Sequence, residues 1–404
     1  MATTKNINWN SNTQYAFGLY KLITKCLGTW PFDCQSILSK IQTLIVVILE
    51  ITMATSILLE SNLNCGVLHD ISQMYALIAC CFIVIVKLAT LRINNGKFLR
   101  IMSSSINDWT TMLDPKAFEI MRKNAKLARF VCLFQMISGY LTDAIFITGP
   151  LIFLTIYDMP IDANMTSNSS VPKFQPLPLG TGCLFNEMST HTYAAIYILQ
   201  SIQILSTCTG NVGCDCYIFG IALHVAGQLD WLGEQFRTLN IKSTEQEYTK
   251  TLGPLVRRHN QLIQFANDLE DSFNLCIILI LAVNMVQICL SGLQMIVDLR
   301  NGDIASVING AIIFYVFNLQ IFLYSYAGDR LSSGIANLHT AIYCSTWYNL
   351  PQRNIKDLVF IMLRTHKTFN LTGGKIYAMN IDSFKNILKA TLSYFSVMQA
   401  MLEE

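Results

Sequence analysis

The amino-acid sequence predicts an all-α membrane protein of seven transmembrane helices, and three observations carry that prediction. Of the 404 residues, 52% are hydrophobic and only 13% charged, with a mean hydropathy of +0.41; a soluble domain carries about 25% charged residues. Six stretches, roughly residues 39–59, 71–91, 130–157, 192–220, 273–297 and 304–327, each supply the ~20 mainly apolar residues that cross a bilayer. A seventh, roughly 383–402, is the least apolar, with Lys385 and Lys389 near its start, yet ~20 helical residues still rise about 30 Å. A formal net charge of +2 gives no basic surface for nucleic acid.

The first thirty residues hold no apolar run of signal-peptide length and no small-residue cleavage site, so insertion is expected to rely on the first span. Direction follows from Lys/Arg bias in the short connections. Basic residues crowd the N-terminus, the segment from Arg92 to Arg129, the segment between spans four and five, and the one before span seven. The alternate loops are poor in them: residues 60–70 have none, 158–191 have only Lys173, and the fifth-to-sixth connection has only Arg300. The expected topology has a cytoplasmic N-terminus and an extracellular C-terminus.

The 158–191 loop carries two N-x-S/T acceptors, Asn164 and Asn168, on the side where glycosylation occurs. Of the thirteen cysteines, most sit in apolar runs and read as small buried hydrophobes. Cys65 and Cys183 both fall outside the membrane, where a disulfide or two free thiols are open alternatives. No C-x-x-C pair with partnered histidines marks a metal site, and no nucleophile, base or ligand constellation marks an enzyme or a cofactor. Lys87, close to the cytoplasmic end of span two, reads as a snorkelling side chain.

Seven spans suggest a G-protein-coupled receptor, but the direction is reversed. Gly328-Asp329-Arg330-Leu331 follows span six rather than span three, so Asp329 and Arg330 read as interfacial caps. The C-terminal third is more specific. Its Tyr343…Trp347-Tyr348 cluster, basic helix, Gly374-Lys375, Phe384 and closing Ser393-Tyr394-Phe395-Ser396-Val397 resemble the signature region of insect odorant receptors. The segment between spans four and five is only about fifty residues, without the long insertion of that family's co-receptor, so the resemblance is to a ligand-tuning subunit. It implies an odorant-gated, non-selective cation channel in the plasma membrane of sensory neurons. Such channels are tetramers formed with the co-receptor, each subunit binding a small volatile and contributing its last helix to one central pore.

In the last span Asn386, Ala390, Ser393, Val397 and Ala400 step by four and three, so they share one small or polar face. From the residues alone, pore lining and tight helix packing are both open. The resemblance implies pore lining: Val397 as the constriction that closes by dewetting, Ser393 beside it, and Ala400 and Met401 at the extracellular mouth. The family's co-receptor has glutamine where this chain has Ala400, and Glu403 and Glu404 would concentrate cations.

A ligand pocket is expected in the outer half of spans two to six, with aromatic walls and few polar anchors. Candidates are Tyr75, Ala79 and Phe82 in span two, Tyr140, Asp143 and Ile147 in span three, Tyr193, Tyr197 and Gln200 in span four, and Tyr315 and Asn318 in span six. The span-four stripe continues through Ile204, Thr207 and Asn211, and span five offers Asn284, Gln287, Ser291 and Gln294. For each, interhelical packing is the competing reading. Asp143 reads as the only carboxylate well inside an outer half-span, and intramembrane acids face a cavity or a partner.

The expected division is a six-span ligand-binding region over 1–330, an amphipathic anchor segment over 331–374 that touches lipid headgroups or other subunits, and a pore helix over 375–404. Gly373-Gly374 would let the chain turn from anchor to pore helix. A gustatory receptor channel of the same inverted layout is the alternative, although the T-Y-L-type motif of that family is missing here. A transporter would need an internal repeat, and none is visible.

Overall fold

The computed structural model describes residues 9–63, 68–157, 176–182, 184–185, 188–238, 245–349, 352–366 and 369–403. Asn164, Asn168, Cys65 and Cys183 lie outside the described residues. The chain is helical nearly throughout: α1 (Ser11–Cys26), α2 (Ile37–Asn62), α3 (Leu68–Ile93), α4 (Asn95–Thr111), α5 (Pro115–Tyr157), α6 (Thr190–Arg237), α7 (Glu245–Asn301), α8 (Ile304–Tyr343), α9 (Gln352–His366) and α10 (Ile381–Glu403). A small hairpin, β1 (Thr372–Gly373) and β2 (Tyr377–Ala378), joins α9 to α10. Side-chain caps start three of the long helices, with Ser36, Ser189 and Asp303 accepting from the N–H three residues on.

Each predicted span falls inside one helix. Among the described residues, α2, α3, α5, α6, α7 and α8 are long and apolar enough to cross a membrane. The more polar α10 is not among those six, because Asp382, Lys385 and Lys389 dilute its first half. The 57 residues of α7 and 48 of α6 rise roughly 85 and 70 Å, far beyond a ~30 Å hydrocarbon core. Beyond the apolar stretches their ends and that of α8 form a second helical layer, against which α1, α4 and α9 pack.

The core is organised around α6, which is buried on every side from Gly213 to Leu229. Small residues make this possible. A methyl group at Gly213 would overlap Ile23 of α1, and one at Gly220 would sit 2.6 Å from the Tyr20 ring. Ion pairs tie the extended layer together: Arg258 of α7 reaches Asp108 of α4 at 2.5 Å, and Arg100 of α4 reaches Asp268 of α7 at 3.0 Å. Arg330, read from the sequence as an interfacial cap, instead joins α8 to α6 through Asp230 at 2.8 Å. Arg92 donates to three carbonyls, of Gly28, Cys34 and Ser39, and to the Thr43 hydroxyl, which fixes the α1–α2 connection.

The hairpin before α10 was not foreseen. Its turn is made by Gly374 and Lys375, both at φ 59°, so the chain reverses one residue later than Gly373-Gly374, and Gly373 belongs to β1. It is clasped to α7: Gly374 N donates to Asn274 O at 2.7 Å, Thr372 Oγ1 to Glu270 Oε1 at 2.5 Å, and Lys375 Nζ to Asp271 at 3.0 Å. The Asp271 carboxylate holds the Lys375 ammonium above its usual value. From this clasp α10 runs along α7 and α8.

Candidate functional site

A cavity of ≈ 170 Å³ lies between α3, α5, α6 and α8, with Met53 of α2 and Pro178 of the pre-α6 segment closing one end. Its walls are mostly aliphatic, as the packing of long apolar helices dictates. Ala76, Leu77 and Ile83 come from α3, Gly139 and Phe146 from α5, Ile204 and Val212 from α6, and Ile312, Ile313, Val316 and Phe317 from α8. Polar groups are few. Thr142 and Asp143 stand on the α5 wall, and Asn211, Asp215 and Gln320 gather at the end far from Pro178.

That far end is a continuous hydrogen-bonded network. Lys87 Nζ of α3 lies 2.7 Å from Asp215 Oδ1, with the two side chains 0% and 2% exposed. Asp215 also accepts from Gln320 Nε2 and Tyr324 Oη of α8, each at 2.7 Å. Lys87 donates to Asn211 O and Oδ1 at 3.2 Å, and Asn284 of α7 donates to Gln320 Oε1 at 2.8 Å. Lys87 therefore does not snorkel; a counter-ion on the central helix holds it inside. Further carboxylates besides Asp143 are buried in the long apolar helices. Asp215 is buried, and Glu50 of α2 is buried while accepting from Thr207 Oγ1 at 2.8 Å.

The span-four stripe divides along its length. Ile204, Thr207 and Asn211 line the cavity. One to two turns nearer the loop, Gln200 Nε2 donates to Thr181 Oγ1 at 2.7 Å and its Oε1 accepts from Leu179 N at 3.2 Å. Tyr193 Oη donates to Pro176 O at 2.9 Å, and Tyr197 Oη donates to Ile147 O of α5. Gln200 and Tyr193 thus seat residues 176–182 on the bundle, where Leu177, Leu179 and Thr181 are buried, while Tyr197 ties α6 to α5. Tyr140 Oη pairs with Thr209 Oγ1 at 2.9 Å, and Asn318 Nδ2 with Phe314 O at 2.8 Å. Tyr75, Phe82 and Tyr315 are exposed on the outside of the bundle, and Ala79 is half-buried. Asp143 alone of the eleven candidates lines the cavity. The span-five residues Asn284, Gln287 and Ser291 are buried but stand outside its walls.

On α10, Ile387 and Thr391 are buried, while Asn386, Ala390, Ser393 and Val397 are exposed, Val397 by 55%. The buried face is anchored by aromatics: Phe384 meets Phe322 of α8 edge-on at 5.4 Å, and Phe395 packs on Phe314 at 5.7 Å and directly over Gly292 of α7. The small, polar stripe is exposed, together with Leu392 and Tyr394. The side chains of Ala400 and Met401 are outside the described residues.

Membrane-length helices surround a largely apolar cavity with a few placed polar groups, the make-up of a small-molecule pocket. The chain belongs to the odorant receptor family: residues 68–392 match the family model described as 7tm Odorant receptor. It is similar to Odorant receptor Or1 of Anopheles gambiae, 22% identical over 239 residues, which cover 52% of this chain and 57% of that one. It is also similar to Odorant receptor 10 of Aedes albopictus, 23% identical over 211 residues, covering 51% and 55%. The chain thus spans about half the length of the curated relatives it matches. The solved insect olfactory receptor OR5 from Machilis hrabei superposes with a TM-score of 0.76 at 13% identity, over 95% of this chain and 99% of that one. The structure of that receptor in complex with eugenol superposes equally well, over 96% and 100%. At this identity the likeness establishes the fold. The kinship is with receptors, not enzymes.

Proposed function

We propose that the chain is a ligand-tuning subunit of an odorant-gated, non-selective cation channel in the plasma membrane of sensory neurons. Its N-terminus is cytoplasmic and its C-terminus extracellular. The carrying observation is the α3–α5–α6–α8 cavity, together with an α10 whose small, polar stripe faces away from its own subunit. A small volatile occupies the cavity, close to the loop-side end of the bundle. Binding favours whichever arrangement of α8 and α7 fits it better, and it can open the gate only by that difference. Phe395 over Gly292 and against Phe314 passes the change to α10, where Val397 is the constriction, Ser393 lies beside it, and Ala400 and Met401 form the mouth. The eugenol complex of the Machilis receptor supports a small, largely apolar aromatic ligand. Co-receptor subunits complete the tetramer through the helical layer and α9. Asn164 and Asn168 carry glycans, and Cys65 and Cys183 face the same compartment. The test is whole-cell recording from cells expressing the chain with the co-receptor: volatiles should evoke cation currents absent from cells with either subunit alone. A broad panel evoking none would sink the reading.

A further inference from the structure

Asp143 lines the cavity and is only 9% exposed, yet its Oδ2 has no hydrogen-bond partner among the described residues. The donors around it are committed. Cys208 lies beside the carboxyl, Thr142 Oγ1 donates to Ser138 O at 3.0 Å, and Tyr140 Oη pairs with Thr209. Of the other polar wall residues, Thr207 donates to Glu50, Asn211 to Cys80 O and Gln320 to Asp215, Gln135 accepts from Cys216 Sγ, and Ile204, Ile313 and Phe146 carry no donor. At the far end, by contrast, Asp215 is served by Lys87, Gln320 and Tyr324 and has no open demand. A buried carboxylate oxygen left unpaired is costly, so a molecule that supplies the missing donor gains what a donor-less analogue cannot. The volume bounds that molecule. An apolar cavity of about 150 Å³ holds benzene, so ≈ 170 Å³ suits roughly six to ten heavy atoms.

We propose that the cavity selects compact, largely apolar molecules bearing one hydrogen-bond donor, an alcohol, phenol or amine, with Asp143 as the acceptor and specificity-determining residue. This rests on the reading of the cavity as the ligand site. It makes Asp143 a filter for chemical class, while the aliphatic walls filter shape.

The test compares half-maximal concentrations for a primary alcohol, the methyl ether of the same length and the corresponding amine. Recordings use cells expressing the chain with the co-receptor, with surface expression measured for every variant. Wild type should prefer the alcohol to the ether by roughly tenfold, the worth of one hydrogen bond to a buried acceptor. Asp143→Leu should respond to the ether and lose that preference. Asp143→Asn keeps an acceptor but no charge: it should retain the alcohol response and lose the amine response, which separates hydroxyl from ammonium recognition. Equal wild-type sensitivity to alcohol and ether overturns the proposal, as would happen if an ordered water served Asp143, and so does an Asp143→Leu channel with the preference intact. The wild-type comparison decides the matter even if Asp143→Leu fails to reach the surface. Currents without donor preference overturn this inference alone, whereas no current from any volatile overturns the channel reading and this inference with it.

Discussion

Replacing Lys87 with methionine removes the cation from the centre of the transmembrane bundle while keeping its length. Nζ sits 2.7 Å from Asp215 Oδ1 with both side chains essentially inaccessible, so its loss strands a desolvated carboxylate. Removing one partner of a buried pair costs about 3–5 kcal/mol, because the other charge remains desolvated. Asp215 would keep two donors, Gln320 and Tyr324 at 2.7 Å each, which places the expected loss near the lower end, about 3 kcal/mol. Adding Asp215→Asn removes the stranded charge and should restore at least ~1 kcal/mol, the mark of directly coupled residues. Thermal melting of the detergent-solubilised protein, followed by size exclusion, orders the variants: Lys87→Met lowest, the double variant between, wild type highest. A Lys87→Met protein that melts with wild type, or a double variant no better than the single, would refute the idea that this pair holds α3 to α6.

Gly292→Leu drives a side chain into the space of the Phe395 ring, so α10 must shift off α7; basal current should change without loss of surface expression, and an unchanged baseline removes this contact from the gating path. Val397→Ser makes the exposed stripe of α10 polar at its proposed constriction, so leak should rise or ion selectivity alter, and wild-type leak would exclude Val397 from the gate. Gln200→Leu leaves the Thr181 hydroxyl and Leu179 N–H without their partners, at roughly 1–3 kcal/mol apiece. Residues 176–182 should then exchange amide hydrogens faster, and unaltered exchange would mean that Gln200 does not seat the segment.

The helices were legible because an apolar run of span length has few other fates, and each of the seven predicted segments lies within one observed helix. Which face of a helix meets the cavity was far less legible. In span two the expected wall is Tyr75, Ala79 and Phe82, whereas Ala76, Leu77, Cys80 and Ile83 line the cavity. In span six it is Tyr315 and Asn318, whereas Ile312, Ile313, Val316 and Phe317 do so. The physical reason is that lipid is as apolar as a protein interior, so composition does not say which way a spanning helix is rotated. Span four escaped part of this ambiguity, since its polar stripe had to find partners: its lower half borders the cavity and its upper half holds the 176–182 segment. The Lys87–Asp215 pair was hidden for a different cause, because two residues 128 positions apart declare no pairing in sequence. On α10 the stripe itself was readable, and the structure adds that Phe384 and Phe395 turn the opposite face inward.

The central claim, that a small volatile acts from the α3–α5–α6–α8 cavity, is tested most directly by determining the structure of the assembled channel with an activating ligand bound. Ligand density should lie among Asp143, Ile204, Ile313 and Phe317, with a donor atom within hydrogen-bond distance of Asp143. Density at any other place in the subunit, with this cavity empty, would contradict the account.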